Sequence, residues 1–306
     1  MDKRIYDTVI LGGGPAGYTA ALYATRAGLD TLVLEKFSAG GQMTQTSQID
    51  NYPGMDEGID GFSLGFKMQA GAQRFGAQTE QTEVLGAELA SEIKRITTDA
   101  GDFFAKSVII ATGAAPKKLG IEGEESLIGR GVGYCAHCDG MLFREKTVAV
   151  VGGGNSAVSD ALYLSNICKK VYLIHRRDTL RATKIYHDPL LRAQNVEFMW
   201  NSQITALHSD KKLTGITLKN TKTDKESELA IDGVFISIGR SPETAMFKGQ
   251  IDMDESGYIL ADESTKTNLP GVFAAGDVRA KALRQIVTAA SDGAVAAHFA
   301  EEYILG

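Results

Sequence analysis

Cysteine is scarce in this chain. Only Cys135, Cys138 and Cys168 occur among 306 residues. Three are too few for a disulfide scaffold, and in a reducing compartment a spaced pair points to catalysis or metal binding. A surplus of basic charge is missing as well. The net charge is −6, so no positive field draws in nucleic acid or an anionic membrane. No apolar run approaches the ~20 residues of a membrane span. The opening MDKRIYDTVI leads straight into a Gly-rich loop, with no room for a signal-peptide apolar region. A cytoplasmic protein is the expectation. What remains is a soluble globular composition, 43% hydrophobic and 23% charged, long enough for one large domain or two ordinary ones.

The glycines punctuate strand-to-helix turns. Thr8-Val-Ile-Leu11 leads into Gly12-Gly-Gly-Pro-Ala-Gly17, an Ala-rich helix expected over 16–27, Gly28, and a second apolar strand, Thr31-Leu-Val-Leu34, ending at Glu35. Val148-Ala-Val-Val151 likewise leads into Gly152-Gly-Gly-Asn-Ser-Ala157, a helix expected over 156–166, then Val171-Tyr-Leu-Ile174 and His175. Short apolar runs bounded by turn residues suit parallel strands covered on both faces. The two stretches superpose at an offset of 140 residues, Gly12 on Gly152, Gly14 on Gly154, Gly17 on Ala157 and Glu35 on His175. That register implies a duplicated nucleotide-binding architecture. Val108-Ile-Ile-Ala-Thr-Gly113 and Val234-Phe-Ile-Ser-Ile-Gly239 each close one copy. The expected fold is α/β, two Rossmann-like three-layer domains. The second, 115–245, is inserted into a discontinuous first, 1–114 plus 246–306. Gly113-Ala-Ala-Pro116 and Gly239-Arg-Ser-Pro242 are the expected hinges.

The two fingerprints want different nucleotides. In each, glycines let a pyrophosphate approach a helix N-terminus, whose free N–H groups and dipole favour anions. Glu35 is placed to accept hydrogen bonds from a ribose diol and would repel a 2′-phosphate, so the first site wants FAD or NAD. At the matching position of the second copy stand His175, Arg176 and Arg177, with Arg181 four residues on. Guanidinium groups pair bidentately with phosphate, which points to NADPH. Two sites of opposite preference imply electron transfer between two nucleotides.

Cys135-Ala-His-Cys138, followed by Asp139, has the spacing of thioredoxin-like redox motifs, in which the thiolate is the nucleophile. Its alternatives are a zinc half-site or two buried small residues. Zinc would need two further ligands, and Cys168 with histidines 175, 187, 208 and 298 offers no second cluster. No metal is expected, and Cys168 is expected to be packed.

Together these residues resemble the bacterial low-molecular-weight thioredoxin reductases over essentially the whole chain. The resemblance rests on both fingerprints, Gly40-Gly-Gln42, Asn51-Tyr-Pro-Gly54, Ala111-Thr-Gly113, the dithiol with Asp139, His175 to Arg181, Ala275-Gly-Asp277 and Arg284-Gln-Ile286. It implies a homodimeric enzyme passing electrons from NADPH to FAD, to the Cys135–Cys138 disulfide, and to thioredoxin, with the NADPH domain rotating between half-reactions. Asp277 would bind the ribityl chain, with Gln42, Asn51 and Arg284 to Ile286 near the flavin and the Val84 backbone at the adenine. Gly12, Gly14, Pro15, Ala16, Gly17, Glu35, Gly41, Ala111, Thr112, Gly113, Gly276 and Gln285 complete the implied FAD set. For NADPH the set is Gly152, Gly154, Asn155, Ser156, Ala157, His175, Arg176, Arg177, Arg181, Ile238 and Gly239. Cys138 would lie nearest the flavin, Cys135 would attack the protein substrate, and Asp139 would move protons as acid and base.

Two positions depart from the pattern. His137 stands where the family often has Thr, and Gly140-Met-Leu-Phe143 replaces an aromatic pair that helps many members hold thioredoxin. Related enzymes that oxidise small dithiols with oxygen, or take electrons from ferredoxin, have less need of an NADPH site, so the three arginines argue against them. A nucleotide-sensing binding module would leave the dithiol and its Asp unexplained.

Overall fold

The computed structural model describes residues 4–46, 48–184 and 187–306; the side chains of Gln45 and His187, the latter among the candidate zinc ligands, lie outside the description. Contacts divide the chain into two compact units. The first comprises Met1–Gln45, Tyr52–Ala115 and Ser241–Gly306, and the second Thr46–Asn51 and Pro116–Arg240.

In the first unit, β1 (Ile5–Leu11) runs into α1 (Pro15–Arg26) and then β2 (Thr31–Glu35). Proline at the first helical position loses only an N–H that has no partner in a helix anyway, so α1 starts one residue earlier than expected. Gly28, at φ +86°, ends it in the left-handed region. Next come α2 (Gly61–Gln73), β3 (Gln78–Gln81), β4 (Val84–Glu88), β5 (Lys94–Thr98), β6 (Gly101–Ile110) and β7 (Ala114–Pro116). β4 and β5 form an antiparallel pair that continues onto β6, a feature the parallel reading of the sequence lacked.

The chain then enters the second unit through β8 (Val132–Gly133), α3 (Ala136–Asp139), β9 (Thr147–Val151), α4 (Asn155–Ser165), β10 (Lys170–His175), α5 (His187–Arg192) and β11 (Val196–Trp200). Three antiparallel strands follow, β12 (Ser202–Ser209), β13 (Leu213–Asn220) and β14 (Glu226–Ala230), before β15 (Gly233–Ile236). The sheet order β11-β10-β9-β15-β8 is parallel throughout. α4 covers one face, where Val158, Ala161 and Leu164 pack on Val148, Val150 and Phe235. The antiparallel β12-β13-β14 layer covers the other, burying Ile204, Ile216 and Leu218 against Ala149, Ile174 and Val234.

Through β16 (Arg240–Pro242) the chain returns to the first unit, adding β17 (Val272–Ala274) beside β6 and the long α6 (Ile286–Leu305). α6 lies against α1 through small residues. A Cβ on Gly293 would fall 2.2 Å from the Ala16 carbonyl oxygen, so only glycine permits that approach. At the return, Glu243 N–H donates to Gly113 O at 3.0 Å, and Thr112 Oγ1 donates to Glu243 O at 2.7 Å. These bonds group residues from Ser241 onward with the first unit, five residues before the sequence-based boundary at 245.

The duplication is visible in the hydrogen-bond register. Ile10 pairs with Val33 and Val150 with Leu173, each pair shifted by the same 140 residues. Val9 opposite Val108 is matched by Ala149 opposite Val234, so the third strand of each copy lies on the same side.

Candidate active site

The first glycine of each fingerprint sits where a side chain would collide. Gly12, at φ +106°, would bring a Cβ within 2.5 Å of Ala111 O, and Gly152, at φ +149°, within 2.4 Å of Ser237 O. The first glycine of each copy thus abuts the carbonyl just beyond the third strand. Gly14 and Gly154 cap α1 and α4 with no side-chain hydrogen bond, and a Cβ on either would meet nothing within 4 Å. α2 and α6 are capped instead, by Asp60 and by a Gln285–Thr288 box. The two fingerprint helices therefore keep open N–H groups facing open space, which fits a pyrophosphate.

Around the first fingerprint, Glu35 accepts from Gly13 N–H at 2.6 Å and from Phe37 N–H at 2.9 Å. Gly40 N–H donates to Gly13 O at 2.8 Å, which lays Gly41 against Gly14 with Gln42 exposed beyond it. Gly276, at φ +81°, would press a Cβ to 2.9 Å from Ala16 Cβ, so the turn carrying Asp277 lies beside the start of α1. Arg284 donates to Asp277 O and Arg279 O and stacks on Tyr258 at 4.0 Å. Gln285 caps α6, whose first residue is Ile286. Val84 opens β4, away from these turns in sequence but in the same sheet as β1. Asn51 belongs by contacts to the second unit, apart from the other expected FAD residues.

Around the second fingerprint, the chain beyond β10 folds back. Arg181 N–H and Ala182 N–H both donate to Gly153 O, at 2.7 and 3.1 Å, and Thr183 N–H donates to Asn155 Oδ1 at 2.8 Å. Arg176, Arg177 and Arg181 are all exposed, and among the described residues none of them forms an ion pair. His175 is buried with its ring on Gly153, where an added Cβ would lie 2.3 Å from Cε1. Burial lowers its pKa; Arg181, Arg177 and Arg176 push the same way, against a hydrogen bond with the Thr179 backbone. Ser156 is exposed and Ala157 buried in the first turn of α4. Ile238 and Gly239 follow β15, and Gly239 O accepts from Lys117 N–H at 2.9 Å.

The dithiol is a disulfide, with S–S 2.06 Å and Cα atoms 5.3 Å apart. Cys135 caps α3, and its carbonyl accepts from Cys138 N–H and Asp139 N–H at 3.2 and 3.1 Å. Ala136, fully buried in the α4 face of the core, anchors the four-residue helix. Burial raises the Asp139 pKa to about 6, so this carboxyl holds or yields a proton near neutral pH. Cys168 is buried, and its thiol is pushed up to about 11, chiefly by that burial. Among the described residues no group of three His, Cys, Asp or Glu side chains could hold a metal ion.

Residues 6–293 match the pyridine nucleotide-disulphide oxidoreductase family. Over 304 residues the chain is 48% identical to a thioredoxin reductase of Listeria monocytogenes, covering 99% of this chain and 95% of that protein. The chain belongs to the thioredoxin reductases. Solved thioredoxin reductases agree in fold, one from Streptococcus pyogenes at TM-score 0.91 and 43% identity, over 99% of both chains. Another, from Giardia duodenalis, matches at TM-score 0.91 and 35% identity, over 99% of this chain and 100% of that one.

Three groups in this thioredoxin reductase chain escaped sequence reasoning. Asp292, buried on α6, accepts from Gly276 N–H, Arg279 Nε and Lys281 Nζ at 2.9, 2.9 and 2.7 Å, and so pins the turn that carries Asp277. A carboxylate in the Ala-rich first half of the helix was its sequence signal. Glu124 is buried and accepts from Leu119 N–H, Gly120 N–H and the Tyr134 hydroxyl, which fixes the residue before Cys135. The third is Asp160 on α4, bonded to the Ser237 hydroxyl.

Proposed function

We propose that this chain is an NADPH-dependent thioredoxin-disulfide reductase, binding FAD on its first unit and NADPH on its second. One observation carries the reading: a Cys135–Cys138 disulfide next to half-buried Asp139, in a unit whose fingerprint ends in arginines where the other ends in an acid. The open N–H groups of α1, the Glu35 carboxylate, the Gly41–Gln42 and Gly276–Asp277 turns and Arg284 to Ile286 would hold FAD, with Asn51, Val84 and Ala111 to Gly113 contributing. The open start of α4, His175, the three arginines, Ile238 and Gly239 would hold NADPH. When bound, the two nucleotides supply two-electron transfer, which no side chain here can provide.

The protein's own part is thiol and proton chemistry. Reduction breaks the Cys135–Cys138 bond and takes up two electrons and two protons. Asp139, poised near neutrality, delivers a proton to the leaving sulfur and later recovers it. Cys135 thiolate then attacks one sulfur of the partner's disulfide, forming a mixed disulfide and releasing a partner thiolate that takes up a proton. Cys138 thiolate attacks Cys135 Sγ, which frees the second partner sulfur and restores the internal disulfide. The relatives' name supports thioredoxin as that partner. The crossings at β7 and β16 are the proposed pivots for rotation of the second unit between half-reactions. A cytoplasmic homodimer completes the reading; among the described residues no helix is long and apolar enough to cross a membrane.

The test is NADPH oxidation with oxidised thioredoxin in the presence of an oxygen electrode. Equimolar NADPH loss and thioredoxin reduction at constant oxygen is the expected result. Oxygen consumption in place of thioredoxin reduction would overturn the direction of the pathway.

A further inference from the structure

Cys135 stands between two residues anchored in different cores. Ala136, which follows it, is buried in the α4 face with Val158 and Ala161. Tyr134, which precedes it, packs on the opposite face, against the cluster of Leu127, Val132 and Ile231, as do Leu119 and Ile121. On the far side of the pair, Gly140 presses on α4, where a Cβ would meet Tyr163 Cε1 at 2.9 Å and Leu164 Cδ2 at 3.0 Å. Cys138 thus lies between two anchors on one face, whereas Cys135 is tied to the other face through Tyr134. The strand leading into Tyr134 is short, since β8 pairs with β15 only at Val132 and Gly133. Glu124 makes up for it. This side chain is in a residue only 2% exposed, and it accepts from the Tyr134 hydroxyl at 2.6 Å, Leu119 N–H at 3.0 Å and Gly120 N–H at 2.8 Å. Burial, then the Glu124 hydrogen bond, raises the Tyr134 pKa, so the phenol keeps its proton and stays the donor.

We propose that Glu124 and Tyr134 are positioning residues that set the thiol–disulfide equilibrium of the dithiol by holding Cys135 where Cys138 can reach it. Closing a disulfide costs the entropy of bringing two sulfurs together, and a backbone that already fixes both cysteines lowers that cost. In the reverse direction the Cys135–Cys138 bond breaks. Two thiols of an external reductant supply two electrons and two protons, and they leave as that reductant's own disulfide. With Tyr134 tethered, Cys135 stays close to Cys138 after reduction, which favours the oxidised form. Without the tether the reduced pair gains freedom, and the dithiol is favoured.

The proposal rests on this pair as the couple that cycles, and it is tested by an equilibrium rather than by turnover. Holoenzyme is equilibrated anaerobically in buffers of reduced and oxidised glutathione, quenched in acid and alkylated. Mass spectrometry then gives the fraction of Cys135–Cys138 in the dithiol form, and the flavin absorbance is read in the same samples. Tyr134→Phe removes the hydroxyl and leaves both backbone bonds to Glu124. It should move the equilibrium about three- to tenfold toward the dithiol, roughly 15–30 mV, with the flavin midpoint unchanged. Glu124→Gln should move it the same way, and adding Tyr134→Phe to that variant should add little, because both act through one contact. An unchanged equilibrium, a shift toward the disulfide, an equal shift of the flavin, or additive shifts in the double variant would each overturn the proposal. Should Glu124→Gln not fold, Tyr134→Phe decides alone. An unshifted Tyr134→Phe beside a wild type that reduces thioredoxin sinks only the role of this contact. A wild-type pair that neither glutathione nor dithiothreitol reduces, in an enzyme that reduces no thioredoxin, sinks the dithiol reading itself.

Discussion

The two fingerprints are built alike and finished differently. Both have an open helix start, a first glycine in the left-handed region against the carbonyl beyond the third strand, and the same register at 140 residues. They part at the end of the second strand. Glu35 folds back onto Gly13 N–H, whereas Arg176, Arg177 and Arg181 stand exposed around a buried histidine. On the proposed reading, shared backbone geometry makes a site for a dinucleotide pyrophosphate, and a few side chains choose which dinucleotide. The second unit also carries the dithiol, which the first lacks.

Cys138→Ser should separate the two regions most sharply. Turnover with thioredoxin should fall by more than about a thousandfold, since the internal disulfide can no longer form. Bleaching of the bound flavin by NADPH should persist, and residual thioredoxin turnover near wild type would break the comparison. Next in size is the joint replacement of Arg176 and Arg177 by Ala. Losing one charge-assisted pair is worth about 1.5–3 kcal/mol, so the KM for NADPH should rise roughly ten- to a hundredfold and that for NADH far less. Equal changes for both coenzymes would refute the assignment of opposite charge preferences.

Asp139→Asn probes burial. The folded-state pKa of about 6 is above the ordinary aspartate value, so folding favours the protonated acid. Its stability contribution is fully present below about pH 4 and is lost as the pH rises through 6. Urea unfolding should therefore show the variant more stable by about 3 kcal/mol near pH 8 and the gain gone near pH 4. A gain independent of pH would contradict the burial argument. The smallest effect belongs to Cys168→Ser: with its thiol buried and pushed up to about 11, turnover should stay within about twofold.

Much of this was legible from residue type and spacing. The parallel strands, the glycine turns and both fingerprint helices follow from short apolar runs closed by glycine, and the helices begin one residue earlier than expected. The β4–β5 pair and the β12-β13-β14 layer were not legible. β4, β12 and β14 are half-exposed, and their alternation is weak beside the fully buried runs of the parallel sheets. The grouping of Thr46–Asn51 with the second unit was equally hidden, because contacts across long sequence separations leave no periodic mark. Asp292 and Glu124 are buried carboxylates whose donors lie up to 16 and 10 residues away, and only folding brings each set together.

The sequence by itself determined the two open helix starts, the acid against the arginines, and the Cys135–Cys138 spacing, because these depend on backbone freedom and on charge carried by the residues themselves. Tertiary structure decided the proton affinity of Asp139 and the pinning of the Asp277 turn by Asp292. Each of these depends on desolvation or on a partner supplied from another element, and neither exists until the chain has packed.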